Sequence, residues 1–220
     1  MPFSPLFFLF FLILAVFVVA FIQVGVISIA VDKLGLPPEA LFLLLFGSLL
    51  GSGINLPLFT MRAHAPPDQS ANPLYAMGLL QPRRPFRGRT LVAVNLGGCV
   101  IPVGFAAYLW THHPLGPAQG LLAIAVVAGI SYLASRPIPG MGIAMPIFVA
   151  PIAAAVTGLL LGGESSAPLA YICGTLGVLV GADILRIGDI RQMGTPLASI
   201  GGAGTFDGIY ITGIVAVLLA

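Results

Sequence analysis

The sequence predicts an all-α integral membrane protein, a single bundle of about seven transmembrane helices with a cytoplasmic N-terminus. Of its 220 residues, 58% are hydrophobic and only 7% are charged, and the mean hydropathy is +1.07. About a quarter of the residues of a soluble domain are charged, so this chain has too few charges to cover a surface that faces water. The apolar residues also form long runs, and the basic residues between these runs follow a pattern.

Seven apolar stretches are long enough to cross about 30 Å of hydrocarbon at about 1.5 Å per residue. They cover approximately residues 3–31, 40–61, 90–111, 117–135, 141–163, 167–185 and 197–220. The runs are continuous rather than short and alternating, so we expect helices and not the strands of a barrel. The first run lacks the positively charged start of a signal peptide, and we interpret it as a retained helix. Residues 1–220 are predicted to form one domain.

The basic residues indicate an orientation for these spans. With a cytoplasmic N-terminus, Lys33 falls outside and the other eight of the nine basic residues fall inside, as the positive-inside rule requires. We therefore expect a multi-pass protein of the cytoplasmic (inner) membrane, with membrane lipid as a partner. The longest loop, residues 62–89, is predicted to be cytoplasmic, and its arginines are interpreted as an anchor at the anionic leaflet. We predict no binding of nucleic acid.

Two amides lie within the predicted spans, Asn55 in INLP and Asn95 in VNLGG. Each is expected to form a hydrogen bond to a neighbouring helix in a polar part of the interior. The two cysteines, Cys99 and Cys173, are interpreted as packing residues. Together with three scattered histidines they match no zinc spacing, so we predict no metal site and no cofactor.

The aspartates near the C-terminus are the strongest indication of chemistry. Asp183 lies at the cytoplasmic end of the sixth span and Asp207 lies inside the seventh. A carboxylate in the middle of a bilayer costs about 2.5–3.5 kcal/mol, and such residues are usually functional. An antiparallel connection through residues 188–199, as a loop or a re-entrant segment, would bring the two aspartates to similar depth. A facing pair would share one proton, which is the arrangement used in aspartyl proteolysis.

Glycines flank both aspartates, in particular Gly181, Gly204 and Gly208. Without side chains they allow a substrate backbone or a second helix to approach closely. Two other functions remain open. A small ion- or proton-coupled transporter would use the same aspartates to bind its cation, and a non-catalytic assembly subunit would use them as buried hydrogen-bonding groups. The oligomeric state is open too.

Residues 174–212 resemble the intramembrane aspartyl proteases of the presenilin and signal-peptide-peptidase type. In that family one aspartate lies on a helix that runs inward, and the next helix returns with a glycine-x-glycine-aspartate motif. The resemblance implies that Asp183 and Asp207 are a catalytic dyad and that the substrate is a transmembrane helix. The chain departs from the family pattern at Ala182, where the family has tyrosine, and in the glycine spacing before Asp207.

Over its whole length the chain resembles an uncharacterised family of bacterial and archaeal membrane proteins. This second resemblance implies a compact bundle of several helices and no particular chemistry.

Overall fold

The computed structural model describes residues 11–14, 16, 29, 33–64, 88–138, 142–202 and 208–220. Within these residues the protein has a mixed α/β architecture, with six helices of twelve residues or more and five strands in two sheets. The prediction of an all-α bundle of seven transmembrane helices is therefore wrong. Most of the first predicted span, 3–31, and most of the predicted loop 62–89 lie outside the described residues.

The helices of the described residues differ in length. They are α1 (Pro38–Gly51), α2 (Ile101–His112), α3 (Pro117–Ala134), α4 (Val149–Gly162), α5 (Ser166–Val178), the single turn α6 (Ile190–Met193) and α7 (Gly208–Leu219). Two π-helical segments extend the helices: Leu96–Val100 leads into α2, and Leu179–Ile184 continues α5. Short 3-10 turns occupy Gly163–Ser165 and Ile187–Asp189.

The larger sheet has three strands in the order β1-β2-β5, which are β1 (Asn55–Arg62), β2 (Arg89–Asn95) and β5 (Leu197–Ile200). β1 and β2 are antiparallel, whereas β2 and β5 are parallel. The smaller sheet is the antiparallel pair β3 (Arg136–Ile138) and β4 (Gly142–Ala144). β5 thus pairs with β2 although it lies more than a hundred residues later in the sequence.

Four of the predicted spans each contain a strand and a helix shorter than the span. They are 40–61, 90–111, 141–163 and 197–220. Hydropathy does not distinguish a buried or half-buried apolar strand from an apolar helix, which explains the error. The alternation of β-branched residues in RTLVAVN favours the strand that forms at β2. By contrast, the predicted spans 117–135 and 167–185 are helical over nearly their whole length.

Side-chain hydrogen bonds and one glycine with a positive φ mark the ends of α1, β2 and β5. After α1, the hydroxyl of Ser52 donates a hydrogen bond to the carbonyl oxygen of Leu49, 2.7 Å away. After β2, the side chain of Asn95 accepts a hydrogen bond from the backbone N–H of Gly98 and caps the π-helical segment, as asparagine commonly does at a helix start. After β5, Gly201 has a φ of +78°, a conformation that favours glycine.

Four helices share one pattern of connection. α1 leads into β1, α2 follows β2, α3 leads into β3, and α4 follows β4. Each of these helices is therefore joined to a sheet at one end. α5 lies at the centre of the helical layer, where it packs against α2, α3, α4 and α7. Its side chains are buried along most of its length.

Two helical stretches of the described residues are long and apolar enough to cross a membrane, Pro117–Ala134 and Val149–Met193. The first is α3. The second contains the turn Gly163–Ser165, where α5 folds back along α4. The thiol of Cys173 on α5 accordingly lies 3.7 Å from the carbonyl oxygen of Ala154 on α4.

Candidate functional site

Asp183 lies in the π-helical segment that continues α5, and it is half-buried. Its neighbours Val178, Leu179 and Ala182 are buried in a small apolar cluster. One carboxylate oxygen, Oδ2, accepts a hydrogen bond of 2.7 Å from the backbone N–H of Gly201. This bond ties the end of α5 to the residue that directly follows β5.

Gly201 fits its place because it has no side chain. A Cβ atom added to it would lie 2.6 Å from Cβ of Cys99 and 2.7 Å from the carbonyl carbon of Gly98. Gly201 is therefore pressed against the π-helical segment Leu96–Val100, while its amide points to Asp183. We name the group formed by Gly98, Cys99, Asp183 and Gly201 the aspartate junction.

Both π-helical segments of the described residues meet at the aspartate junction, since Leu96–Val100 supplies Gly98 and Cys99 and Leu179–Ile184 supplies Asp183. A π-helical turn is a rare distortion, and it occurs frequently at functional sites. Two such turns in contact with the end of one strand distinguish this region from the regular packing of α3, α4 and α5.

The two predicted polar residues, Asn55 and Asn95, lie next to this junction and contact each other. They are directly opposite in the β1–β2 ladder, and Nδ2 of Asn95 lies 3.1 Å from Oδ1 of Asn55. Asn95 is almost completely buried, at 1% exposure. The amides thus bond across a sheet, whereas the sequence led us to expect bonds between helices.

The predicted glycines fall in different places. Gly181 lies against α3, where an added Cβ would be 2.2 Å from the carbonyl oxygen of Ala128. Gly208 is the first residue of α7. Gly204 and Asp207 lie outside the described residues, so the predicted pairing of Asp207 with Asp183 stays a prediction.

The remaining nearby carboxylate, Asp189, forms a salt bridge of 3.0 Å with Arg186. The guanidinium of Arg186 also donates hydrogen bonds to the carbonyl oxygens of Tyr132 and Ser135. It therefore satisfies the C-terminal end of α3, a favourable position for a cation. Asp183 forms no salt bridge within the described residues.

The described residues contain no group of three or more histidine, cysteine, aspartate or glutamate side chains that could hold a metal ion. The chemistry available at the aspartate junction is that of a carboxylate beside backbone amides and apolar side chains.

Comparison with known proteins gives one match. A family model described as "Protein of unknown function (DUF1614)" matches residues 49–219, which is most of the chain. The chain belongs to the DUF1614 family. No curated protein and no solved structure matches it. The DUF1614 match begins near the end of α1 and includes both sheets, both π-helical segments and the positions of Asp183 and Asp207. The expected resemblance to an uncharacterised family is confirmed.

Sequence reasoning missed two participants of the site in this DUF1614 protein. Ser199 on β5 donates a hydrogen bond of 2.5 Å to Oδ1 of Asn55, and the carbonyl oxygen of Ser52 accepts one of 2.7 Å from Nδ2 of Asn95. A lone serine in a sequence carries no sign of such a role. The adjacent glycines Gly201 and Gly202, both with positive φ, were the available indication that the chain changes direction here.

Proposed function

We propose that this protein is a membrane-embedded aspartyl peptidase-like protein, with Asp183 and Asp207 as its acid–base pair. The observation that supports it most is the bond between the Asp183 carboxylate and the Gly201 amide. Through this bond the carboxylate of Asp183 lies at the end of β5. This carboxylate forms no salt bridge within the described residues. Asp207 follows Gly201 by six residues in the sequence.

The exposed surface supports a location in the membrane. Only 28% of the residues of α3 are buried, and Leu133 on this helix is 80% exposed. Large apolar side chains are also exposed on α4, where Leu160 is 78% exposed. Soluble monomers rarely expose contiguous apolar patches of more than a few hundred Å². We therefore propose that the helical layer lies in the cytoplasmic membrane with its apolar side chains against lipid.

We expect the expressed protein to sediment with membranes and to remain there after washing with alkaline carbonate. The physical reason is that removing the exposed leucines and valines of α3 and α4 from lipid costs about 25 cal/mol for each Å² of apolar surface. The measurement is an immunoblot of the pellet and the supernatant. Release of the protein as a soluble monomer would contradict the membrane location.

The sheet suggests how a peptide would be held. β5 pairs only with β2 among the described strands, and we propose that its other edge, next to the aspartate junction, receives the peptide. An extended peptide adds to such an edge through main-chain hydrogen bonds. A substrate held there would have its backbone close to the end of β5, the position to which Asp183 is tied.

The proposed chemistry is hydrolysis of a peptide bond by two carboxyl groups. One carboxylate removes a proton from water, whose oxygen attacks the carbonyl carbon, while the other carboxylic acid protonates the carbonyl oxygen to give a gem-diol. The first carboxyl group, now protonated, then gives its proton to the leaving amine, and the second, now a carboxylate, takes a proton back from the gem-diol as the C–N bond breaks. Two carboxyl groups that share one proton can exchange these roles. The proposed substrate is a transmembrane segment that becomes extended near the junction.

The test is cleavage of a membrane-anchored reporter by the purified protein in proteoliposomes. We expect the wild type to cleave it and the Asp207→Asn variant to lose this activity. A transporter would instead take up protons or cations and lose the uptake in the same variant. If the protein shows neither cleavage nor uptake and co-purifies with a partner protein, the result would favour the assembly subunit. Asn55 and Asn95, which would suit an ion site, use their side chains to join strands.

A further inference from the structure

A chain of side-chain hydrogen bonds joins four elements beside the aspartate junction. The carboxamide of Asn95 donates to the carbonyl oxygen of Ser52 and to Oδ1 of Asn55. It also accepts from the backbone N–H of Gly98, at 2.7 Å. Oδ1 of Asn55 accepts a second bond, from the hydroxyl of Ser199. We name Asn95, Asn55 and Ser199 the amide chain.

The two asparagines have different requirements in this chain. Asn55 takes part through its oxygen alone, which accepts from both Asn95 and Ser199. Asn95 uses its oxygen to accept and its nitrogen to donate. A carboxylate has acceptors and no donor, so it can replace the side chain of Asn55 but not that of Asn95.

Both ends of the amide chain lead to the aspartate junction. At one end, Asn95 holds Gly98, which lies against Gly201. At the other end, Ser199 lies on β5, in register with Ala93 of β2, and only Ile200 separates it from Gly201. Because so short a stretch of backbone joins the two residues, we expect a displacement of Ser199 to move Gly201.

We propose that Asn95, Asn55 and Ser199 are positioning residues that hold the Gly201 amide on the carboxylate of Asp183. Their effect on catalysis rests on the proposed function, but their effect on the Gly201–Asp183 bond does not. They touch neither a reacting atom nor Asp183 itself in the structure. They act through the backbone of β5 and the π-helical segment at Gly98.

The test measures hydrogen–deuterium exchange by mass spectrometry in peptides that cover residues 197–202, with the full chain in lipid nanodiscs. We expect Ser199→Ala to speed exchange of the Gly201 amide about tenfold, as the loss of a typical hydrogen bond predicts. Ser199→Thr keeps the hydroxyl and is expected to exchange like the wild type. The control Thr111→Ala removes a hydroxyl that bonds within α2 and is expected to leave residues 197–202 unchanged.

The asparagines give a second comparison, which does not depend on the serine variants folding well. We expect the Gly201 amide to exchange slowly in Asn55→Asp, as in the wild type, and faster in Asn95→Asp. The reason is that only the side chain of Asn95 must donate hydrogen bonds. Equal effects of the two substitutions, or unchanged exchange in Ser199→Ala, would overturn the proposal. Cleavage of the reporter is measured in parallel. If the variants change exchange of the Gly201 amide but the wild type never cleaves the reporter, only the proposed peptidase function is refuted. If the wild type cleaves the reporter but the variants leave exchange unchanged, only the positioning role is refuted.

Discussion

The Asp183→Asn variant is expected to fold like the wild type and to lose reporter cleavage by about 10²–10⁴-fold, the usual contribution of a general acid or base. Asparagine has the same shape as aspartate, and its Oδ1 can still accept the hydrogen bond from the Gly201 amide. The junction between α5 and β5 should therefore survive. The amide cannot take up or release the proton that hydrolysis requires. Initial cleavage rates in proteoliposomes, with thermal unfolding measured on the same samples, provide the check.

Asp189→Asn is the matched control, since Asp189 lies six residues from Asp183 and also interacts with a neighbour. Its partner is Arg186, which keeps its bonds to the end of α3 when the salt bridge is lost. We expect cleavage within about twofold of the wild type, because partly exposed salt bridges contribute little. Full cleavage by Asp183→Asn, or equal losses in the two variants, would rule out Asp183 as a catalytic residue.

The Gly97→Ala variant is expected to lose about 3 kcal/mol of stability, the upper part of the range for overpacking a core. A Cβ at this position would lie 1.9 Å from the carbonyl oxygen of Ser48 and 2.4 Å from the backbone nitrogen of Ser52. Both atoms belong to backbone at the end of α1, so no side-chain rotation can relieve the contact. The π-helical segment or α1 has to move, and the measurement is the midpoint of denaturant unfolding in detergent.

Gly104→Ala provides the control for this substitution. Gly104 lies on α2, which continues the same helical segment, and an added Cβ would have no atom within 4 Å outside its own helix. Alanine is favoured over glycine inside a helix by about 1 kcal/mol, so this variant should be as stable as the wild type or more stable. Equal destabilisation by the two substitutions would show that the contact between α1 and Gly97 does not matter.

Two helices could be predicted closely from the sequence, for identifiable reasons. The predicted span 117–135 matches α3, which begins at Pro117 after Gly116 and is uninterrupted to Ala134. The predicted span 167–185 matches α5 with its π-helical extension. In both regions no strand interrupts the apolar run, so hydropathy and helix length coincide.

The strands could not be predicted in this way. β1, β2 and β5 are apolar, and each adjoins another apolar segment, so each was absorbed into a predicted span. The parallel pairing of Ala93 with Ser199 joins residues far apart in the sequence, and no local pattern encodes such a pair. The shortage of charged residues predicts an apolar environment, but it does not determine whether the backbone satisfies its hydrogen bonds in helices or in sheets.

Some residues of the candidate site could be predicted from the sequence, and others could not. Asp183, Asn55 and Asn95 could be chosen because polar side chains are rare in this chain. The partner of Asp183 is a backbone amide, and every residue except proline has one, so Gly201 could not be recognised as that partner. Ser199 could not be chosen either, because its role depends on a strand pairing that the sequence did not reveal.

The π-helical segment Leu179–Ile184 makes the direction of Asp183 depend on the number of residues in one turn. A π turn contains one residue more than the α turn that it replaces, and each residue of an α-helix rotates the side chain by about 100°. The same residues in a regular α-helix would therefore turn the carboxylate by about 100° away from Gly201, whereas deletion of one codon before Asp183 would restore a regular helix and keep its direction. Homologous genes that lack one codon here would therefore encode the same fold, with a regular helical turn in place of the π turn and the aspartate still directed at Gly201.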